Sequence, residues 1–583
     1  MTPSRWERFR LSHHEDTVLL VLTLIIGAVV GVVVVAFILL TENLGARMYP
    51  ADAAAWRRVF IPIFGALSTG YLLYRYFPNA RGSGIPQTKT ALFIRDGRIK
   101  LRTVLGKFSM CSVTLASGLA LGREGPSVQV GAGIASVLGR RLGLSPASVK
   151  SLVPVGAAAA LAAAFNTPIA AVLFTLEEVM GDMHAPVLGS IVLSSATSWM
   201  VLHLLLGDEP LFHVPAYELK SPVEFVTYAV LGLVGGLVSV VFVKLLLWQR
   251  KKFLSLRAAT RWAQPVAGGI VVGLLGWFVP DVLGVGYGTV SQALNGHIVL
   301  GTMALLVCLK LIATTTCYSS GNAGGIFGPS LFIGAMLGGS VGSAAHTVMP
   351  NFTGNVGAYA LVGMGAAFAG IVRVPLTSVI MIFEVTRDYT IIVPLMIANL
   401  LSYFISSRLQ EEPIYEALLH QDGIHLPSGA GARAKETVLR VSDGLRPGGE
   451  PLPVALTLSE ARDRGDPRHK AWPVTDDIGL RGMVSAQRLD QAIASGQGGE
   501  LLGQLIPDPG PAEGLTQDSY PHLHADQSLD IALRKLAETG WDALPVVSRD
   551  NVREWKGTIS VNEILAAYGI SVPQPQPEPH QAE

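Results

Sequence analysis

Gly122-Arg123-Glu124-Gly125-Pro126-Ser127 places an arginine and a glutamate inside a long apolar region. The two glycines permit close backbone approach. Pro126 suits the first turn of a helix, where its missing N–H would have had no partner in any case. The stretch therefore predicts a helix start whose free N–H groups lie at membrane depth, and such an end, partially positive, is a natural anion site. The pattern G-x-x-G-P-S returns about two hundred residues later as Gly325-Ile326-Phe327-Gly328-Pro329-Ser330, again at the head of an apolar segment. Downstream of each copy, Pro168 is followed nine residues on by Glu177, and Pro375 nine residues on by Glu384. Two signals in the same order at similar offsets indicate an internal duplication. Duplicated halves whose interrupted helices meet at the bilayer midplane recur among membrane transporters.

Composition agrees with that placement. Of 583 residues, 50% are hydrophobic and only 15% charged, and the mean hydropathy is +0.43, too apolar for an ordinary soluble protein. Val18 to Leu40 carries no charge and is long enough to span a hydrocarbon core of about 30 Å. Arg5, Arg8 and Arg10 precede it, which predicts a retained first helix with a cytoplasmic N-terminus. A net charge of +1 gives no sign of a nucleic-acid partner, and none is expected. Cys111, Cys308 and Cys317 lie in apolar segments without metal-like spacing, so they read as buried thiols, and no metal site is expected.

Membrane segments are predicted near 57–77, 103–121, 126–139, 151–164, 168–180, 186–206, 223–247, 264–280, 298–318, 328–347, 357–371, 375–386 and 390–408. Several are too short to cross alone. Broken by Gly and Pro, they suggest re-entrant or half-membrane helices, which need protein or a water-filled cavity to satisfy their backbone. The basic clusters Arg95 to Arg102 and Arg250 to Arg257 read as cytoplasmic loops.

Near Glu411 the composition turns polar and stays so, which predicts a separate soluble domain. Within it two units rhyme. Ala471-Trp472-Pro473-Val474 leads to Arg481-Gly482-Met483-Val484-Ser485, and Ala543-Leu544-Pro545-Val546-Val547 leads to Lys556-Gly557-Thr558-Ile559-Ser560. Each predicts strand, turn, strand and helix, after a helical stretch that is clearest at Ser528 to Thr539. The pair resembles CBS domains, modules that often bind adenine nucleotides. The nucleotide-binding form usually has an Asp three residues after the Ser or Thr of its second strand. Arg488 and Glu563 hold those places here, which leaves an adenine nucleotide open.

Four motifs, Gly82-Ser83-Gly84-Ile85-Pro86, the Glu124 stretch, the Phe327 stretch and Pro413-Ile414-Tyr415, stand in this order. The combination resembles the CLC family of chloride channels and chloride/proton antiporters, over residues 17 to 420. The resemblance implies an all-α polytopic membrane domain of two inverted repeats, about 17–206 and 223–408, within 17–420. It further implies a cytosolic α/β CBS pair over 421–570, with 1–16 as a cytoplasmic segment and 571–583 as a Pro-rich tail. A multi-pass cell-membrane homodimer with cytoplasmic termini and one pathway per subunit is expected. Its partners would be chloride, protons and the lipid bilayer, with no cofactor and no enzymatic activity.

The resemblance also implies roles. Ser83 and Tyr415, with the backbone N–H groups of Ile326 and Phe327, would coordinate a central chloride. Residues Gly122, Arg123, Gly125, Pro126, Gly325, Gly328 and Pro329 would shape the helix starts. Glu124 would gate the anion site, occupying it when charged and leaving it when protonated. Glu178 would pass protons on the inner side, since the antiporters usually carry a carboxylate there and many channels an apolar residue. Serine at 83 favours chloride over nitrate. Plainer uses are a helix cap for Ser83, an ion pair with Arg123 for Glu124, and helix-end charges for Glu177 and Glu178. A passive voltage- or proton-gated chloride channel of the same fold is the alternative. An intramembrane serine protease would need a histidine beside Ser83, and only His203 lies in an apolar segment as a candidate.

Overall fold

A computed structural model describes residues 15–50, 54–183, 187–208, 211–212, 214, 219–426, 439–445, 451–466, 469–506 and 521–568. Arg5, Arg8, Arg10 and the tail from 571 lie outside the described residues. The chain divides into two compact units, Met1–Ala434 and Lys435–Glu583.

Among the described residues the regular elements of the first unit are helices. In order come α1 (Glu15–Met48), α2 (Arg57–Arg75), α3 (Ile85–Phe93), α4 (Leu101–Ala116), α5 (Glu124–Arg141), α6 (Pro146–Phe165), α7 (Pro168–Phe174) and α8 (Leu188–Leu206). The series then repeats as α9 (Glu224–Ser255), α10 (Pro265–Phe278), α11 (Tyr287–Leu294), α12 (Leu300–Ser319), α13 (Phe327–Val348), α14 (Val356–Val372), α15 (Pro375–Thr386) and α16 (Ile392–Leu409). A short α17 (Ile414–Gln421) follows. Helix packing repeats too, α5 on α6 as α13 on α14, and α1 on α8 as α9 on α16.

Local chemistry sets these bounds. Pro146, Pro168, Pro265 and Pro375 stand at helix starts, where no N–H is missed. Ser145 and Asn355 cap α6 and α14 by accepting the N–H groups of Ser148 and Gly357. Gly84 at φ +106° and Gly286 at φ +88° make the left-handed turns that open α3 and α11. Among the described residues, seven helices are long and apolar enough to cross a membrane. Helices α3, α7, α11 and α15, of 9, 7, 8 and 12 residues, are not.

The halves are joined at equivalent places. Gly122 and Gly325 exchange both N–H···O bonds at 2.7 Å in an antiparallel bridge. When equivalent residues pair with each other in this way, the two segments are related by a pseudo-two-fold axis. The starts of α5 and α13 therefore face each other at the centre of the unit, in the inverted-repeat arrangement.

Three readings of the sequence are corrected. The short helices α3, α11 and α17 were not among the predicted segments, being too short to give a periodic signal. Arg250, Lys251 and Lys252 belong to the last turns of α9 rather than to a loop, since that helix runs 32 residues and outlasts the apolar stretch, and Arg102 lies in the first turn of α4. Cys308 is exposed on α12 rather than buried like Cys111 and Cys317, because an apolar helix in lipid has no need to face the core.

The second unit holds two matching sheets. In the first, β1 (Leu452–Pro453) runs parallel to β2 (Ala471–Asp476), which pairs antiparallel with β3 (Gly479–Ser485). In the second, β4 (Leu523–His524), β5 (Ala543–Val547) and β6 (Trp555–Ser560) repeat that order and direction. Around them lie α18 (Val441–Gly444), α19 (Leu458–Arg464), α20 (Ala486–Ala492), α21 (Leu502–Leu505), α22 (Leu529–Thr539) and α23 (Val561–Ala567).

Candidate functional site

Glu124 is the first residue of α5 and is fully buried. Its Oε2 accepts the N–H of Gly328, the second residue of α13, at 3.2 Å, and its Oε1 accepts the Tyr287 hydroxyl. The carboxylate of one half thus occupies the helix start of the other, where unpaired N–H groups attract an anion. Arg123 does not pair with it. The guanidinium turns to Glu42 instead, with Nη1 at 3.0 Å from its carboxylate, because adjacent residues at a helix start diverge.

A second pair of donors stands near the start of α5. Ser83 and Tyr415 are fully buried and close enough to interact, yet neither hydroxyl has a hydrogen-bond partner of ordinary geometry in the protein. A buried polar group left unpaired costs about 1–3 kcal/mol. Two together fit a ligand that accepts from both. Ser83 does not cap α3; Gly84 holds that place, and its N–H is taken by the Gln87 side chain at 2.9 Å. A Cβ at Gly125 would stand 2.5 Å from Ser83 Oγ, so glycine is what lets the serine approach the start of α5.

Ile326 and Phe327, at the start of α13, are fully buried and have N–H groups beyond the reach of intrahelical bonding. The Phe327 ring lies 4.6 Å from Phe165, 5.5 Å from Phe174 and 4.1 Å from Phe368, which fixes the backbone beside it.

Glu177 and Glu178 share a π-helical turn, Thr175–Met180, that follows α7. Glu177 accepts the N–H of Thr377 at 2.8 Å and its hydroxyl at 2.6 Å, at the start of α15. Its counterpart Glu384 accepts the N–H groups of Ile169 and Ala170, at 2.9 and 2.6 Å, at the start of α7. This reciprocal exchange is a two-fold contact and a structural one. Glu178 points elsewhere. It meets Lys89 of α3 at 2.8 Å in a pair that is almost wholly buried, and Lys89 also lies 3.7 Å from Glu416, next to Tyr415.

Two further lysines match each other. Lys107 donates to the carbonyls of Gly82 at 2.7 Å and Arg81 at 3.3 Å, and Lys310 to those of Gly284 at 2.6 Å and Val282 at 3.0 Å. Each holds the turn that opens α3 or α11. A cavity of about 840 Å³ reaches Gly82 and Tyr318 and is lined by Arg81, Arg95, Arg98, Lys100, Arg140 and Arg250, against Asp96 and Asp422. It forms a positively charged approach to the Ser83 turn.

The sequence reading missed Lys89, Lys107, Lys310 and Tyr287. Lys107 and Lys310 sit in apolar runs, where a lone charge is itself a signal, and aligning the halves would have paired them, since Lys310 stands as far before Phe327 as Lys107 before Glu124. Lys89, among Gln87, Thr88 and Thr90, and Tyr287 gave no such signal. His203 offers nothing to Ser83; its nitrogens contact Asp208 at 2.9 Å and the Trp199 carbonyl at 3.1 Å.

In the second unit, the two positions that could have met a nucleotide are engaged locally. Arg488 donates to the Leu505 carbonyl at 3.1 Å, and Glu563 accepts the Ser560 N–H at 2.8 Å in a capping box of α23.

Comparison with known proteins agrees with this geometry. The family of voltage gated chloride channels matches residues 64–407, and the CBS domain family matches 512–569. An H(+)/Cl(-) exchange transporter, ClcA of Vibrio campbellii, is 34% identical over 358 residues, 60% of this chain and 76% of that protein. The crystal structure of a slow cyanobacterial Cl-/H+ antiporter is 27% identical, with a TM-score of 0.63 over 69% of this chain and 97% of that one. A eukaryotic CLC transporter, 19% identical, shares the fold with a TM-score of 0.60 over 93% of this chain and 97% of its own.

Proposed function

The chain belongs to the voltage-gated chloride channel family, the CLC family, and from that premise we propose that it exchanges chloride for protons across the membrane. The observation that carries this reading is the placing of Glu124, a carboxylate seated on the Gly328 N–H at the start of α13. A carboxylate and a chloride compete for the same donors, and only the protonated carboxyl yields them without leaving a charge unpaired.

In this reading chloride rests between the Ser83 and Tyr415 hydroxyls and the N–H groups of Ile326 and Phe327. No full cation binds it directly, which keeps the site weak enough to release the ion. Glu178 receives protons on the inner side. Its pairing with Lys89, with Glu416 beside them, gives a buried charge that a proton can exchange without crossing the anion route. The basic cavity faces the cytoplasm, since Arg95, Arg98, Lys100 and Arg250 follow the positive-inside rule. The chain works as a homodimer in the cell membrane, each copy holding one complete pathway. The CBS pair binds ATP weakly or not at all, because Arg488 and Glu563 are engaged in local bonds.

Purified full-length chain in liposomes tests the reading. An imposed chloride gradient is expected to drive protons uphill, measured with chloride and pH electrodes together. Chloride flux indifferent to the proton gradient would favour the passive channel.

A further inference from the structure

Helices α3 and α11 occupy equivalent places, and their first residues, Ile85 and Tyr287, are counterparts. The first residues of α5 and α13, Glu124 and Phe327, are counterparts as well. On one side of the pseudo-two-fold axis the pair is a carboxylate with a phenol. On the other it is a phenyl ring with an aliphatic chain. The Tyr287 hydroxyl donates to Glu124 Oε1 while the Gly328 N–H holds Oε2, so each carboxylate oxygen has one protein donor. The Tyr287 ring is fixed in turn, with the Arg123 guanidinium 5.5 Å from its centroid and the Phe212 ring packed edge-on at 5.6 Å. A Cβ at Gly328 would come within 3.3 Å of the hydroxyl, so glycine there keeps the phenol close to the helix start.

We propose that Tyr287 is a latch on the gate, a positioning residue whose hydroxyl holds Glu124 in the anion seat and thereby slows exchange. The proposal rests on the gate reading of Glu124. Leaving the seat costs the carboxylate two donors. Gly328 N–H can be returned to an incoming chloride, because it lies in the seat itself. The phenol bond belongs to the carboxylate, because its ring is pinned by Arg123 and Phe212 and directed at Oε1. Glu42, paired with Arg123, completes the charged groups facing the latch. Lys310 is held apart by the Val282 and Gly284 carbonyls and the Phe332 ring, 4.5 Å away.

The test is a double-mutant cycle on the full chain in liposomes, recording chloride and proton fluxes. Tyr287→Phe keeps the ring and its packing and removes only the donor. Its turnover is expected to rise about tenfold, the equivalent of about 1.4 kcal/mol, with protons still coupled. In the Glu124→Ala background the same change is expected to leave turnover within about twofold, because no side-chain oxygen remains to be held. Unchanged or lower turnover in Tyr287→Phe overturns the latch, and so does an equal rise in the Glu124→Ala background, which would mark a packing effect. If Glu124→Gln itself still pumps protons, the gate reading fails and the latch with it. If Glu124→Gln uncouples while Tyr287→Phe has no effect, only the latch fails.

Discussion

The starts of α5 and α13 share one backbone design and differ in side chains. Both open with G-x-x-G-P-S, both are preceded by a buried lysine clamping a turn, and both join through the Gly122–Gly325 bridge. At the first helical residue one has Glu124 and the other Phe327. Backbone N–H groups, lysine clamps and the Glu177/Glu384 caps are common to the halves and make the scaffold. A few departures from symmetry, Glu124 against Phe327, Tyr287 against Ile85, and Glu178 with Lys89, set the two halves apart.

The largest expected effect comes from erasing the main departure. Glu124→Gln gives a neutral side chain of the same shape, and chloride flux is expected to continue with no coupled proton movement. Proton pumping that survives this change would mean the asymmetry lies elsewhere.

Glu178→Gln strikes the second departure. Proton flux is expected to fall at least about tenfold while chloride still moves, because the carboxylate that would take the proton is gone; Lys89 keeps only the longer contact with Glu416 at 3.7 Å, so thermal stability is expected to fall too, by up to about 3–5 kcal/mol. Replacing both partners, Lys89→Met with Glu178→Gln, is expected to recover thermal stability but not proton flux. Recovery of both would make the pair a structural one.

Tyr415→Ala removes a donor that has no counterpart in the protein. One hydrogen bond to a charged partner contributes about 1.5–3 kcal/mol, so chloride affinity by calorimetry is expected to drop by roughly one to two decades. Unaltered affinity would leave Tyr415 with packing alone.

Glu177→Gln and Glu384→Gln sharpen the comparison from the symmetric side. Each weakens a helix-start interaction, with an expected cost of about 1–2 kcal/mol in thermal unfolding and unchanged proton coupling. A loss of coupling in one and not the other would break the equivalence of the two caps.

The smallest effect lies in the second unit, where the two repeats are linked by a titratable contact. The Asp542 carboxylate, 3.7 Å from His469 Nδ1, raises the histidine above its ordinary value of 6.5. A raised histidine contributes stability in full below the unfolded value and loses it as pH climbs through the folded one. The protection factors of β2 and β5 amides in the full chain, which take out the intrinsic pH dependence of exchange, are therefore expected to be slightly higher at pH 6 than at pH 8, and His469→Asn should level the difference.

The sequence by itself determined the membrane class, the duplication, the two helix starts and the second domain, and it singled out Glu124 as a carboxylate in an apolar region; Ser83, Glu178 and Tyr415 became candidates only through the family resemblance. The first group was legible because its causes are local. A charge in an apolar run, a proline at a helix start and a repeated motif are all expensive to keep by chance. Tertiary structure alone decided the partners. Arg123 adjoins Glu124 in sequence yet turns to Glu42, while Tyr287 and Gly328, far away in the chain, reach both carboxylate oxygens. Glu177 and Glu178 are neighbours with separate uses, one a cap and the other an ion pair with Lys89. The physical reason is that a buried charge is defined by whatever surrounds it in three dimensions. Here those surroundings come from the opposite half, brought close only when the two repeats close around their shared axis.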